Sequence, residues 1–554
     1  MTTSATDSAR MVTELVRLHQ VLRDVALPLD LEGVAAQRQA LDETVKQLED
    51  YVIPRMMTVD APLLAVVGGS TGAGKSTLVN SLVGHRVTES GLLRPTTRSA
   101  VLVHHPEDAQ WFGQDRLLPG LARVERETND PNALQLVTSE SVPRGLALLD
   151  APDVDSVEEA NRTVAAELLA AADLWLWVTS AARYADQVPW EFLKAAADRS
   201  TAVAIVLDRT PDDAVQTVAT HLARMLASRG LRDSPLFVVY EGKVSDDGVL
   251  PADHVAEIRQ WLDALAADPD ARRGVVAQTL DGSVRTLTFR VYSIADAAAL
   301  QHEALETLRA GATETYAAAV RSAEAELAAG SAFRGEVAVR WQEVEESGLF
   351  DPEAKGGRRL FGKGRGDVRL DRVPAAVAAA LELLVLEQAE KAADAAVSAW
   401  RVTPGGAVLA AGPDLGRASR GLRGQASRAV ADWQQDVSDR VRAATAVQEG
   451  IDLALMVAVL AGGSNEGRGA HDALTAAFGV AGAGEHVDWA RSALLGRFAS
   501  LLRSEETRFT TLADHASVSD DLPSQLRQAV RRVDDIRYAA QRNDPLTGDA
   551  VGEF

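Results

Sequence analysis

The chain has 554 residues, 46% hydrophobic and 25% charged, a globular balance and enough length for about three or four domain-sized units. It has no cysteine, which excludes a disulfide framework, cysteine zinc sites, iron–sulfur clusters and a thiol nucleophile. Its 57 Lys+Arg against 79 Asp+Glu leave a net charge of −22, so nucleic acid is not an expected partner, because neutralising phosphates takes clustered cations.

The opening MTTSATDSAR has no cationic flank leading into an apolar core, and no signal peptide is expected. Met11, Leu15, Leu18, Leu22 and Val25, then Leu41, Val45, Leu48 and Val52, recur at helical spacing. These stripes predict two N-terminal helices over residues 1–58, the second ended by Pro54. From Ala61 the pattern changes to short unbroken apolar runs: Leu63–Val67, Ala100–Val103, Leu146–Leu149, Leu174–Val178, Ala202–Leu207 and Leu236–Tyr240. Helical stretches such as Val157–Ala171 and Val188–Ala197 lie between them. Strands buried on both faces and alternating with helices predict a mostly parallel α/β domain over residues 59–245. Residues 246–540 read as an Ala-rich helical bundle, with Gly-rich breaks at Pro404–Gly424 and Gly462–Gly484, and 541–554 as a frayed tail. No run reaches about 18 uninterrupted apolar residues, so no transmembrane helix is expected, and the default compartment is the cytosol.

Gly69-Ser70-Thr71-Gly72-Ala73-Gly74-Lys75-Ser76 satisfies G-x-x-x-x-G-K-[ST] at every fixed position. It follows one predicted strand and opens the helical stretch from Thr77 to Val83, the context that gives the motif meaning. Glycines let backbone N–H groups wrap a phosphate, the helix N-terminus adds its positive dipole end, Lys75 reaches the β/γ oxygens and the Ser76 hydroxyl binds Mg²⁺. Asp150 ends a buried run and is placed to hold the same Mg²⁺ through water; the alternative is a surface turn, since Asp-Ala-Pro-Asp is good turn chemistry. In Arg94-Pro95-Thr96-Thr97-Arg98, Thr97 is the first choice for a switch hydroxyl on Mg²⁺ and the γ-phosphate, Thr96 the second, and an ordinary polar loop the alternative.

Residues 67–83 (VGGSTGAGKSTLVNSLV), 93–99 (LRPTTRS), 148–156 (LLDAPDVDS), 182–186 (ARYAD) and 206–211 (VLDRTP) together resemble the dynamin-like GTPases of actinobacteria. The likeness covers Pro54 to Glu241 in sequence and the helical remainder only in architecture. It implies an α/β P-loop GTPase head with an all-α helical bundle stalk that includes the N-terminal helices. It further implies GTP as substrate, Mg²⁺ as cofactor, residence at the inner face of the cell membrane, and a paralogous dynamin-like partner or homo-oligomer. Lys75, Thr97 and Asp150 are then the catalytic set, Ser76, Thr97 and Asp150 the metal set, and residues 69–77 with Asp208 and Arg209 the nucleotide site. The chain departs from the wider GTPase pattern in four ways. Asp153 stands where Asp-x-x-Gly has glycine. In Asp208-Arg209-Thr210-Pro211-Asp212 the base-reading carboxylate is out of register by one position, although Arg209 could stack under a base. Gly72 lacks the side chain with which potassium-activated relatives hold a monovalent cation, and no catalytic Gln follows Asp150. Turnover that is slow or partner-activated is therefore expected, and guanine preference follows from the resemblance alone.

Two other readings stand beside it. An ABC-type ATPase would need Leu-Ser-Gly-Gly-Gln, which is absent, and an acidic pair after the second core strand, where Asp150 is followed by Ala151. A nucleotide-bound scaffold with little turnover fits Asp153. Finally, Lys355, Arg358, Arg359, Lys363 and Arg365 surround Leu360 and Phe361 with no acid between them. This local basic patch, Lys355–Arg365, suits an anionic membrane surface; the alternative is a solvated loop.

Overall fold

The computed structural model describes residues 2–89, 99–114, 118, 120–128, 130–156, 158–350, 370–412, 414–445, 449–516 and 519–542. Thr96, Thr97, the basic stretch Lys355–Arg365 and the tail beyond 542 lie outside them.

The unbroken apolar runs become sheet. Among the described residues, eight strands form it: β1 Leu63–Gly69, β2 Ala100–His104, β3 Ala122–Val124, β4 Ala133–Thr138, β5 Leu146–Asp150, β6 Leu174–Ser180, β7 Ala202–Thr210 and β8 Leu236–Tyr240. Their order is β3-β4-β2-β5-β1-β6-β7-β8. Every pairing is parallel except β2 with β5. Each residue of β1, β2, β5 and β6 is buried, as a sheet covered by helices on both faces requires. The covering helices include Lys75–Val83, Glu159–Ala170, Gln187–Asp198 and Val215–Ser228. Trp175 and Trp177, adjacent on one face of β6, stack at 5.7 Å and are packing residues.

The chain divides into two compact units, one of residues 1–26, 35–298 and 520 onward, the other of 27–34 and 299–519. The first holds the sheet. It also holds the helix Thr2–Arg23, which packs along the helix Leu522–Arg542. Leu15, Leu18 and Leu22 on one side and Leu526, Val530 and Val533 on the other are buried. Arg527 pairs with Asp296 at 2.6 Å and Arg537 with Asp281 at 3.0 Å, which ties the last helix to the start of the long helix Pro269–Ala328.

The second N-terminal helix differs from its sequence expectation. Pro54 does not end it: Val34–Gln47 passes through a π-turn, Leu48–Val52, into the helical turn Ile53–Met57. The Ile53 N–H reaches back to the Leu48 carbonyl. A wider turn just before a proline accommodates a ring that would clash with the carbonyl four residues earlier. Leu41 and Val45 are only half-buried, whereas Thr44, Gln47, Leu48 and Tyr51 are buried. The buried side is fixed largely by Asp173. Its carboxylate accepts from Arg55 Nε at 2.9 Å, the Tyr51 hydroxyl at 3.1 Å and the Leu64 N–H at 2.9 Å, which joins this helix to the start of β1.

The second unit is helical. Its core gathers Tyr316, Phe333, Trp341, Trp400, Trp433, Phe498 and Phe509. The indole N–H of Trp433 donates to the Ala490 carbonyl at 2.8 Å and that of Trp400 to the Leu308 carbonyl at 3.0 Å, so neither buried donor is left unpaired. Ile451–Ala461 is buried along its whole length except for a half-buried Asp452, a core helix. The glycines of 462–484 interrupt the helices: Ile451–Ala461 ends before Gly462, helix resumes at Arg468, and Gly479 (φ 74°, ψ 169°) kinks Arg468–His515 into two helical pieces. No helix among the described residues is long and apolar enough to cross a membrane.

Candidate nucleotide site

The candidate site is built on the carboxyl ends of four adjacent strands. β1 ends at Gly69, the chain turns through residues 70–74, and a helix begins at Lys75. Asp150 ends β5, Ser180 ends β6 and Asp208 lies near the end of β7. In open α/β sheets this edge is where ligands are received. The loop's shape depends on glycine at two positions. Gly69 has φ 146° and its missing Cβ leaves room for the Val178 carbonyl. Gly74 has φ 105°, and a Cβ there would overlap the Asp208 carboxylate.

Lys75 is buried. Its ammonium donates to the carbonyls of Gly69 at 3.1 Å and Ser70 at 3.0 Å, and pairs with the carboxylate of Asp153. The helix swings the lysine stem back along the loop it follows, which hides the side chain while keeping its nitrogen in the cradle. Ser76 Oγ donates to Asp150 Oδ2 at 2.7 Å, and the Thr88 hydroxyl donates to the same oxygen at 2.8 Å. Asp150 is fully buried; burial pushes its carboxyl above the usual range, against the hydrogen bonds from Ser76 and Thr88 and the charge of Lys75, which hold it down. Its other oxygen, Oδ1, is buried with no hydrogen-bond partner among the described residues.

That orphaned oxygen tests the fit of a divalent cation. Hard cations take oxygen ligands, and Mg²⁺ is usually held by one or two carboxylates plus the phosphates of its nucleotide. Asp150 and Ser76 supply a carboxylate and a hydroxyl, and both fit. No group of three or more His, Cys, Asp or Glu suited to a metal occurs among the described residues, so a cation here would draw its remaining ligands from outside this cluster.

The rest of the loop follows its motif. Ser70, Ala73 and Thr77 are buried, Thr71 is half-buried and Gly72 is exposed. Asp208 is buried against Gly74, and its carboxylate accepts from the Arg209 N–H at 2.8 Å. Burial raises its pKa to about 6, with Arg209 opposing. Arg209 is exposed, in the left-handed region at φ 51°, at a bulge in the β7–β8 pairing. Thr97, the expected switch hydroxyl, lies outside the described residues.

Three contacts escape sequence reasoning. Thr88 reaches Asp150 because buried Asn80, on the helix after the loop, binds the N–H of both Val87 and Thr88 and the Thr88 carbonyl. Asp155 takes the Thr71 N–H at 2.6 Å and the Thr71 hydroxyl at 2.8 Å. Arg183, from the segment after β6, donates to the other Asp155 oxygen at 2.7 Å. The one sequence signal for the last two is that both lie within the segments that carry the family resemblance.

No protein-family model matches this chain, and no curated protein matches it. Among solved structures it is similar to two chains of an oligomerised bacterial dynamin pair described as a mechanism for long-range sensing and tethering of membranes. The first is 10% identical with a TM-score of 0.36, over 97% of this chain and 95% of that one. The second is 11% identical with a TM-score of 0.29, over 96% and 83%. A third, the LeoA bacterial dynamin GTPase from ETEC, is 13% identical with a TM-score of 0.24, over 97% and 99%. Scores this low assign no function to this chain.

Proposed function

We propose that the chain is a dynamin-like GTPase whose P-loop head binds and hydrolyses GTP with Mg²⁺ and whose helical part couples the nucleotide state to assembly at the cytoplasmic face of a membrane. The observation that carries nucleotide binding is the loop 69–76 at the carboxyl edge of the sheet, with Lys75 in the cradle and Ser76 on Asp150. In this reading the loop's N–H groups and Lys75 hold the phosphates, and Ser76 and Asp150, with Thr97, hold Mg²⁺. The cation supplies charge neutralisation as the γ-phosphoryl group leaves. Guanine preference is supported by the motif resemblance, in which Asp208 and Arg209 take the base-contacting role. The basic stretch Lys355–Arg365 is the proposed contact with anionic lipid, and a paralogous chain or a second copy the proposed partner.

The experiment is binding and turnover with GTP and ATP side by side on the full chain. GTP preferred, with Lys75→Ala folded but unable to bind, is the expected result. Equal competition by ATP against labelled GTP would leave a general P-loop NTPase. Unchanged affinity in Lys75→Ala would remove the P-loop assignment altogether. The second reading, a nucleotide-bound scaffold with little turnover, is favoured by the Asp153 carboxylate on Lys75 and predicts nucleotide binding without phosphate release.

A further inference from the structure

Two acidic side chains from the segment after β5 occupy donors that a P-loop offers to phosphate. Asp153 is paired with the Lys75 ammonium, and Asp155 holds the N–H and hydroxyl of Thr71. The segment is stitched to β1 along its length: the Ala151 N–H donates to the Val67 carbonyl at 3.2 Å and the Val154 N–H to the Gly69 carbonyl at 3.4 Å. Pro152, Val154 and Ser156 are buried, and the alternate residues Asp153 and Asp155 are half-buried and meet the loop through Lys75 and Thr71. Arg183 secures Asp155 from the other side. A phosphate oxygen and a carboxylate oxygen are alike in charge and in hydrogen-bond demand, so they compete for the same donors.

We propose that Asp153 is a specificity-determining residue, an internal anion that competes with the γ-phosphate for Lys75 and so sets the preference between triphosphate and diphosphate. The proposal rests on the nucleotide-binding reading above. Asp153 stands at the fourth position from Asp150, where Asp-x-x-Gly places a glycine N–H near the γ-phosphate. A diphosphate engages the loop and leaves that position to Asp153. A triphosphate brings charge into it, and carboxylate and phosphate cannot share one ammonium at close range without like-charge repulsion. Triphosphate therefore binds only the fraction of molecules in which Asp153 has left Lys75, and its apparent affinity falls by that fraction. Leaving also strains the neighbouring contact, because Asp153 and Asp155 share one short segment. Loss of Asp155 from Thr71 would free Arg183, so triphosphate occupancy is passed to the segment after β6 by displacement rather than by a glycine N–H.

The test is titration of the full chain with fluorescent (mant) GppNHp and GDP in millimolar Mg²⁺, for wild type, Asp153→Asn, Asp153→Gly and Asp153→Glu, each checked for fold by circular dichroism. Removing the charge should tighten GppNHp about tenfold and GDP less than about threefold in both Asn and Gly variants, while Asp153→Glu stays near wild type. Two uncharged variants of different shape keep the result independent of one variant's folding. An unchanged GppNHp to GDP ratio in both, or weaker GppNHp binding than wild type, overturns the proposal and leaves the P-loop reading standing. No binding of either nucleotide by wild type and all variants overturns the P-loop reading itself, and the proposal with it.

Discussion

Asp150 and Asp208 are both buried carboxylates, yet their surroundings set different tasks. Asp150 has two hydroxyl donors on one oxygen and none on the other. Asp150→Ala should weaken Mg²⁺-dependent nucleotide binding, read by titration with and without EDTA. It should also lower stability by about 1–3 kcal/mol in a denaturant melt, because the Ser76 and Thr88 hydroxyls lose a buried acceptor. Asp208 has a backbone donor and little else, and its pKa of about 6 lies above the ordinary carboxylate value. The fold therefore favours the protonated form. The stability Asp208 contributes is complete below about pH 4 and is lost as pH rises through about 6. Asp208→Asn should leave Tm unchanged near pH 4 and raise it above pH 6. A variant Tm that tracks wild type at every pH would show that Asp208 is not strained as a carboxylate.

Between residues and molecule stands the helix that ends beside β1. The π-turn Leu48–Val52 is held because Tyr51 within it and Arg55 just after it share one acceptor in Asp173. Arg55 and Asp173 are both nearly fully buried, at 6% and 1% side-chain exposure. A pair in that setting contributes modestly while intact, but breaking it leaves a bare charge in the interior. Asp173→Ala should cost about 3–5 kcal/mol of stability by chemical denaturation, whereas Arg55→Met combined with Asp173→Leu should recover much of it. The loop 69–74 works in the opposite sense: its backbone, rather than its charges, is what the strands around it constrain. At Gly74 the left-handed φ and the close approach of Asp208 coincide, so Gly74→Ala should abolish nucleotide binding.

At the scale of the molecule, the proposed attachment to membrane is a question of charge distribution in a chain at −22. The five cations of Lys355–Arg365 fall within eleven residues with no acid between them. Replacing Arg358, Arg359 and Lys363 with Glu should reduce co-sedimentation with phosphatidylglycerol-rich vesicles more than with neutral ones. The wild-type signal should also fall with added salt, as the Debye length shrinks from about 10 Å at 0.1 M to about 3 Å at 1 M. Wild-type protein that ignores anionic vesicles at low salt, with and without nucleotide, would leave membrane contact to a partner.

The six strands expected as unbroken apolar runs form one contiguous block, β2-β5-β1-β6-β7-β8, and their alternation with helices carries the α/β class. β3 and β4 were not legible: β3 is three residues long, and in β4 buried Ala133 and Leu134 give way to half-buried and exposed positions. The cradle was readable because it is local. Phosphate wrapping needs glycines and a lysine at fixed offsets in one turn, and the turn carries its own geometry wherever the strand is placed. By itself the sequence determined that loop, the stripe of the first helix and the acid at the end of β5. Only the tertiary structure decided that Thr88 would share Asp150 with Ser76, that Lys75 would be buried against Asp153, and that Asp155 would join Thr71 to Arg183. Those contacts depend on which strands lie side by side. The order β5-β1-β6-β7 is set by how the whole sheet packs, so no short stretch of the chain carries it.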